Sequence, residues 1–231
     1  MIQLLKQGKF SLILSAAGRV FALVGYRRAM MSDIAAEAGV ALGTLYRYAE
    51  SKEELFELAL RRELGQEPTV LWDARGRASF ESSLLEFVRH EFVGEDRFPI
   101  LTAALEVDAP RDGRAEFESV LGELYDTMSQ LYVAIRMIDR SASDWPELNT
   151  LFANQVRNPL LRALEAYLSL RCGKGLLITP PDLPTAARYI VETCATFAMH
   201  RHFTPGGNYA LDSVARATAM HFISKGFAPP R

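Results

Sequence analysis

The stretch from Asp33 to Leu55, DIAAEAGVALGTLYRYAESKEEL, constrains the fold more than any other part of the chain. Ile34, Ala35 and Ala38 recur at helical spacing, Gly39-Val40 offers a turn, and a second short helix is predicted over 42–48. Ser51 then opens a third helix, with Glu54 three positions on, the pattern of a reciprocal cap. The segment 42–48 carries two tyrosines and one arginine and no acid. Two short helices joined by a tight turn, the second of this composition, suit entry into a DNA groove better than the lining of a catalytic pocket.

The flanking residues support that corner. Phe10, Ile13, Leu14, Ala17, Val20, Phe21 and Val24 form one buried stripe of a helix over 8–24. Gly25 is a natural left-handed stop, and Tyr26 can fold back over the last turn. The helix from Ser51 continues through Leu55, Phe56, Leu58, Ala59 and Leu60 to Gly65. The polar stretch from Gly65 to Ala78 is the predicted connection to the rest of the chain.

Beyond it the reading stays helical, with no period-two strand: 79–94, 98–108, 114–140, 145–172, 183–204 and 208–225. Pro146, flanked by Asp144 and Glu147, signals a helix start, and Pro159 should kink that helix. Gly173, Gly175, Pro180 and Pro181 make a break, Asp182 caps the next helix, Gly206-Gly207 ends it, and Asn208 can cap the last. The predicted class is therefore all-α. An N-terminal helix-turn-helix domain over 1–50 precedes a larger helical domain over 51–231, linked by the helix from Ser51. With 231 residues, there is enough chain for both cores.

The chemistry of the corner follows residue by residue. Gly43 has no side chain to hold a phosphate away, and the Thr44 hydroxyl can donate to one. Tyr46 and Tyr48 carry hydroxyls on rigid arms. Arg47 alone in this segment can read guanine through two parallel hydrogen bonds. Lys52, in the first turn of the next helix, can reach a phosphate. Leu45 points the other way, toward Ile34 and Phe21. Charge agrees: residues 1–52 hold seven basic and three acidic side chains, whereas the whole chain has a net charge of −2.

This segment resembles the TetR family of bacterial transcriptional regulators. The residues that carry the resemblance are Ile13, Ala16-Ala17, Phe21, Gly25-Tyr26, Ile34-Ala35, Ala38-Gly39-Val40, Gly43-Thr44-Leu45-Tyr46, Tyr48, Ser51-Lys52 and Leu55. The resemblance implies an all-helical homodimer that binds double-stranded operator DNA, and a helical body that takes a small-molecule effector. By carry-over, Leu42, Gly43, Thr44, Tyr46, Arg47, Tyr48 and Lys52 face DNA. The chain departs from the family pattern at Met30 and Ala41, where hydroxyl caps are usual, at Leu42, where a polar or basic residue is frequent, and at Ala49, where an aromatic is usual. A missing cap costs about 1 kcal/mol of local helix stability.

For the body, an effector cavity needs a few polar groups among apolar ones. The candidates are Phe87, His90, Glu106, Tyr125, Tyr132, Gln155 and Tyr189. The last two helices are the expected dimer face: Ala187, Cys194 and Ala198 allow close approach, and Val214, Thr218, His221 and Phe222 supply the facing stripe. A two-fold dimer requires a palindromic operator. No enzyme constellation is present. His200 and His202 are too close in sequence to chelate from one helix face, Cys172 and Cys194 lack metal-ligand spacing, and Gly173-Lys174-Gly175 is too short for a phosphate loop. No metal, cofactor or membrane span is expected, and the setting is expected to be cytoplasmic. The reading is a DNA-binding regulator, a repressor released by a small apolar or amphipathic effector. The alternatives are a ligand-independent or activating regulator of the same fold, a helical enzyme, or an interaction module.

Overall fold

A computed structural model describes residues 2–66, 80–93, 97–108 and 110–229. The helices are α1 (Ile2–Val24), α2 (Met31–Glu37), α3 (Leu42–Leu45), α4 (Lys52–Glu63), α5 (Phe80–Val93) and α6 (Pro99–Glu106), followed by α7 (Gly113–Gln130), α8 (Tyr132–Ala142), α9 (Pro146–Phe152), α10 (Asn158–Gly173), α11 (Leu183–Ala198) and α12 (Asp212–Phe227). No strand occurs among the described residues, so the all-α expectation holds. The connection expected over 65–78 lies, beyond Gln66, outside the described residues.

The chain divides into two compact units, Met1–Gly94 with Val133–Ala153, and Glu95–Tyr132 with Asn154–Arg231. This differs from a division at residue 50, because α4 packs along α1 and because a much later segment returns to the first unit. In that unit Phe10, Ile13, Leu14, Ala17 and Phe21 of α1 are buried, as are Leu55, Phe56, Leu58 and Ala59 of α4. Phe21 meets Phe56 edge to face, ring centroids 4.9 Å apart. Each large apolar side chain so buried contributes about 1.5–3 kcal/mol. That outweighs the roughly 1 kcal/mol lost to a glycine inside a helix, so α1 runs through Gly8 and starts six residues before the predicted 8. It ends at Gly25, whose φ of 81° is the expected left-handed stop.

In the second unit α11 packs against α7, α10 and α12, and α6 against α7 and α10. Asp112 caps α7 and Asp182 caps α11 through backbone N–H groups one turn on. Helix α6 has no cap of its own. The Glu123 carboxylate of α7 accepts from the backbone N–H groups of Ile100 (2.7 Å) and Leu101 (2.9 Å) instead. At the other end of α6, Arg171 of α10 donates to the carbonyls of Ala104 (2.6 Å) and Val107 (3.0 Å). Arg171 is 0% exposed and is held side-on by Glu116 at 2.6 and 3.0 Å. Tyr167 donates its hydroxyl to the same carboxylate.

Three predicted helices change shape. The one over 114–140 breaks at Leu131, with no glycine or proline there; the break falls where the chain passes from the second unit to the first. The one over 145–172 begins at Pro146 and takes a π turn over Ala153–Arg157 before α10. Pro159 lacks an N–H and its ring would clash with the carbonyl four residues back, so the expected kink takes the form of a widened turn. The last helix starts at Asp212 rather than 208, and Asn208 does not cap it. The buried Arg201 tethers that start by donating to the carbonyl of Ala210 (3.0 Å) and pairing with Asp212. Cys172 and Cys194 are free and buried, and burial pushes the Cys194 thiol up to about 12.

Arg171→Met should lower unfolding free energy by about 3–5 kcal/mol, because Glu116 and two helix-end carbonyls lose their donor together. In Arg171→Met/Glu116→Gln the loss should be smaller, since no carboxylate is stranded. Urea titration of both variants checks this.

Candidate nucleic-acid interface

The corner forms on weak local signals and strong burial. Met30 precedes α2 in extended conformation without a side-chain cap; the Asp33 carboxylate accepts its N–H at 3.3 Å, which is half of a reciprocal cap. Ala41 likewise gives α3 no side-chain cap. Helix α3 is a single α turn, and Tyr46, Arg47 and Tyr48 continue it as a tighter turn in which Arg47 N–H meets the Thr44 carbonyl (3.2 Å) and Tyr48 N–H that of Leu45 (2.9 Å). Ile34, Ala35 and Leu45 are buried beneath these elements. Gly39, at φ 65°, makes the turn between them.

The outer side of the turn is open. Leu42 is 43% exposed, Tyr46 is 48% exposed, and Gly43 and Arg47 are exposed beside them. No atom lies within 4 Å of where a Cβ on Gly43 would sit. Arg47 donates to the Thr44 hydroxyl at 3.2 Å, and neither it nor Arg27 has a carboxylate partner among the described residues, whereas Arg19 pairs with Glu37 and Arg28 with Asp144. Tyr48 is half-buried, its ring stacked on Phe10 at 5.9 Å. Leu42, Gly43, Thr44, Tyr46 and Arg47 thus share one short turn. Lys52 is turned inward, its ammonium directed at the carbonyls of Ala29 (3.2 Å) and Arg27 (3.4 Å).

A profile of the family described as bacterial regulatory proteins, tetR family, matches residues 13–59, which span this corner and most of α1 and α4. Residues 13–59 match the TetR family. The chain is similar to the fatty acid metabolism regulator protein of Bacillus subtilis (strain 168), 39% identical over 61 residues, which is 26% of this chain and 31% of that protein. The chain therefore matches about a third of that relative's length. Among solved structures, the ketosteroid transcriptional regulator KstR2 of Mycobacterium tuberculosis shares its fold with a TM-score of 0.58 at 14% identity, covering 97% of this chain and 96% of that one. The regulator PfmR of Thermus thermophilus does so with a TM-score of 0.50 at 19% identity, covering 93% and 97%.

Behind the TetR-family corner lies a junction that the sequence only half announced. Tyr26 follows Gly25, and its hydroxyl donates to Glu53 Oε1 at 2.5 Å. Its ring lies 5.4 Å from that of Phe56, edge to face, and 6.1 Å from that of Trp145. Its N–H donates to the Ser141 hydroxyl at 3.1 Å. Arg140 donates to the carbonyl of Leu23 at 3.2 Å, and a Cβ on Gly25 would come within 2.8 Å of the Arg140 carbonyl. The left-handed φ and this close approach together require glycine at position 25. Ser51 caps α4 by accepting from Glu54 N–H at 3.1 Å, while the Glu54 carboxylate reaches Glu50 N–H rather than that of Ser51.

The residues singled out for an effector pocket are divided between the two units. Phe87 is buried with the Arg61 guanidinium over its ring at 4.0 Å, and the His90 side chain is 84% exposed on the same helix of the first unit. Glu106 and Tyr189 face solvent on the second unit. Tyr125 is buried with its hydroxyl donating to the Phe197 carbonyl at 3.1 Å, and Tyr132 packs on His202. Gln155 lies in the π turn, its Oε1 buried without a hydrogen-bond partner. The expected dimer face splits. Ala187, Cys194 and Ala198 are buried inside the chain, because small residues let α11 approach its own neighbours closely, so that stripe is core. Val214, Thr218, His221 and Phe222 are exposed on α12, Phe222 at 68%. No group of three metal-binding side chains occurs among the described residues, and no helix among them is long and apolar enough to cross a membrane.

Burial raises the pKa of the Glu53 carboxyl, but the Tyr26 hydroxyl, backbone and Ser51 hydrogen bonds and the Lys52 charge outweigh it and hold the group below its ordinary range. The junction's stabilisation is therefore present above the unfolded carboxylate range near pH ~4.3 and is lost as pH falls through the lower folded value. Tyr26→Phe should melt below wild type at pH 7, and the gap should narrow as the pH is lowered through that window. Thermal melts across pH 3–7 measure it.

Proposed function

We propose that the protein is a repressor that binds a palindromic operator in double-stranded DNA as a homodimer and leaves it when a small apolar or amphipathic effector binds the helical body. The observation that carries the DNA contact is the short turn whose buried side is Leu45 and whose open side is Leu42, Gly43, Thr44, Tyr46 and Arg47. Such a turn offers one planar cation for base reading and hydroxyls for phosphates. Tyr48, stacked on Phe10, fixes the far end of the turn. Val214, Thr218, His221 and Phe222 on α12, with Tyr189 on α11, supply the exposed apolar and aromatic surface for the dimer. Two copies related by a two-fold axis would place two such turns on half-sites separated by whole helical turns of DNA. Release follows if the effector binds better to the conformation whose turns no longer match that spacing.

Selection from random duplexes, followed by titration at several salt concentrations, tests the reading. An inverted repeat should be enriched, and recovery of no sequence above background would end it. Arg47→Ala should weaken binding to the selected duplex by about 1–3 kcal/mol and relax preference at one base pair per half-site. Tyr46→Phe should weaken all sequences alike, since a phosphate contact carries no base information. Phe222→Asp should shift the sedimenting species toward monomer at micromolar concentration. Acyl compounds are the first effector probes, given the name of the Bacillus relative; an effector must raise the melting temperature in a concentration-dependent way.

A further inference from the structure

Resting on the DNA-binding reading above, we infer that Leu42 is a specificity-determining residue: its side chain takes the 5-methyl group of one thymine in each half-site. Leu42 is 43% exposed and opens the turn whose inner side is the fully buried Leu45. Its carbonyl accepts the Tyr46 N–H at 3.2 Å, so the backbone under the side chain is held in place. Tyr46, four residues on, is exposed at 48% on the same side of the turn. Between them, no atom lies within 4 Å of where a Cβ on Gly43 would sit, so the approach to the turn beside Leu42 is open. Arg47 and Arg27 are exposed in the same corner without a carboxylate partner among the described residues, which favours a polyanion on this side.

A single exposed leucine needs no explanation by itself. Its neighbours supply one here. The turn Leu42–Tyr48 carries no acid, and its other open side chains, Thr44, Tyr46 and Arg47, present hydroxyls and a guanidinium that bond phosphates or base edges. Among them Leu42 alone offers neither donor nor acceptor. Laid against the major-groove edge of guanine, adenine or cytosine, it would cover a polar atom and return no hydrogen bond. The one apolar group in that groove is the thymine methyl. A contact between leucine and that methyl gains about what one buried methylene gains, roughly fourfold in affinity per half-site. The base pair concerned differs from the one read by Arg47, because guanine pairs with cytosine and thymine with adenine.

The test is to remake the duplex selected by full-length wild type with deoxyuridine in place of thymidine, one symmetry-related pair of positions at a time, which removes the methyl and leaves the base pairing intact. One thymine per half-site should be found whose replacement weakens wild type about fourfold per half-site, or roughly 15-fold when both half-sites are changed. Leu42→Ala should bind the thymine and uracil duplexes alike. If no thymine is sensitive at any position, the inference is overturned, and that arm needs no variant. A sensitivity that persists in Leu42→Ala also overturns it and assigns the methyl to another group of the corner, such as Met30 at 59% exposed. Selection repeated with Leu42→Gln should no longer enrich thymine at that position, since an amide bonds a base edge instead of a methyl; retained thymine counts against Leu42. A wild type that binds no duplex at all fails the parent reading instead, so the two failures are told apart.

Discussion

The ring of Tyr26 is the point on which the first unit turns. It touches Phe56 from α4 and Trp145 from the far end of the chain, and its two polar groups are spent on Glu53 and Ser141. Take it away and the turn after α1 has no floor, Lys52 has no face to sit on, and Trp145 loses its neighbour. Gly25 makes the junction accessible by turning left-handed against the Arg140 carbonyl. The turn Leu42–Tyr48 itself contributes little to its own stability: its helix is one α turn long, uncapped, and held by Leu45 and Ile34 beneath it. Its shape is borrowed from what lies behind.

What could be read from the sequence were features governed by neighbours along the chain. The buried stripe of α1, the glycine stop at 25 and the caps at Ser51 and Asp182 all depend on residues within a turn or two. The open side of the turn Leu42–Tyr48 was legible for the same reason, since 3.6-residue geometry sorts Leu45 from Tyr46. The inward turn of Lys52 was not legible, because the carbonyls it meets lie more than twenty residues back. Nor was the fate of the small stripe in α11: alanines and a cysteine spaced for close packing cannot say whether the helix they approach belongs to the same chain. A pocket is harder still, since its walls are defined across the fold and not along it.

The two units handle charge in opposite ways. Around the turn Leu42–Tyr48, Arg27 and Arg47 are displayed, Arg19 is neutralised at the surface by Glu37, and Lys52 is turned onto backbone carbonyls. In the second unit, Arg114, Arg188 and Arg216 stay at the surface, but two arginines go inside. Arg171 and Arg201 are buried and use their fixed donor geometry to close helix ends that lack caps of their own, where α6 finishes and where α12 starts. A buried guanidinium is tolerable only when paired, and although one nitrogen of Arg171 has no hydrogen-bond partner, the bonds these residues do make commit several helices to one mutual arrangement. They give the body a specific packing beyond what alanine- and leucine-rich faces would impose.

The discontinuity of the first unit bears on how the protein is made. As the chain leaves the ribosome, the whole corner from α1 to α4 is synthesised early, yet Arg140, Ser141 and Trp145 have not been added. Until they arrive, Tyr26 and Phe56 keep an uncovered aromatic face and α3 stands on half its foundation. The nascent corner is thus a partly finished surface for as long as α5 to α8 take to follow, and its aromatic junction closes only after the chain has doubled back to seal it.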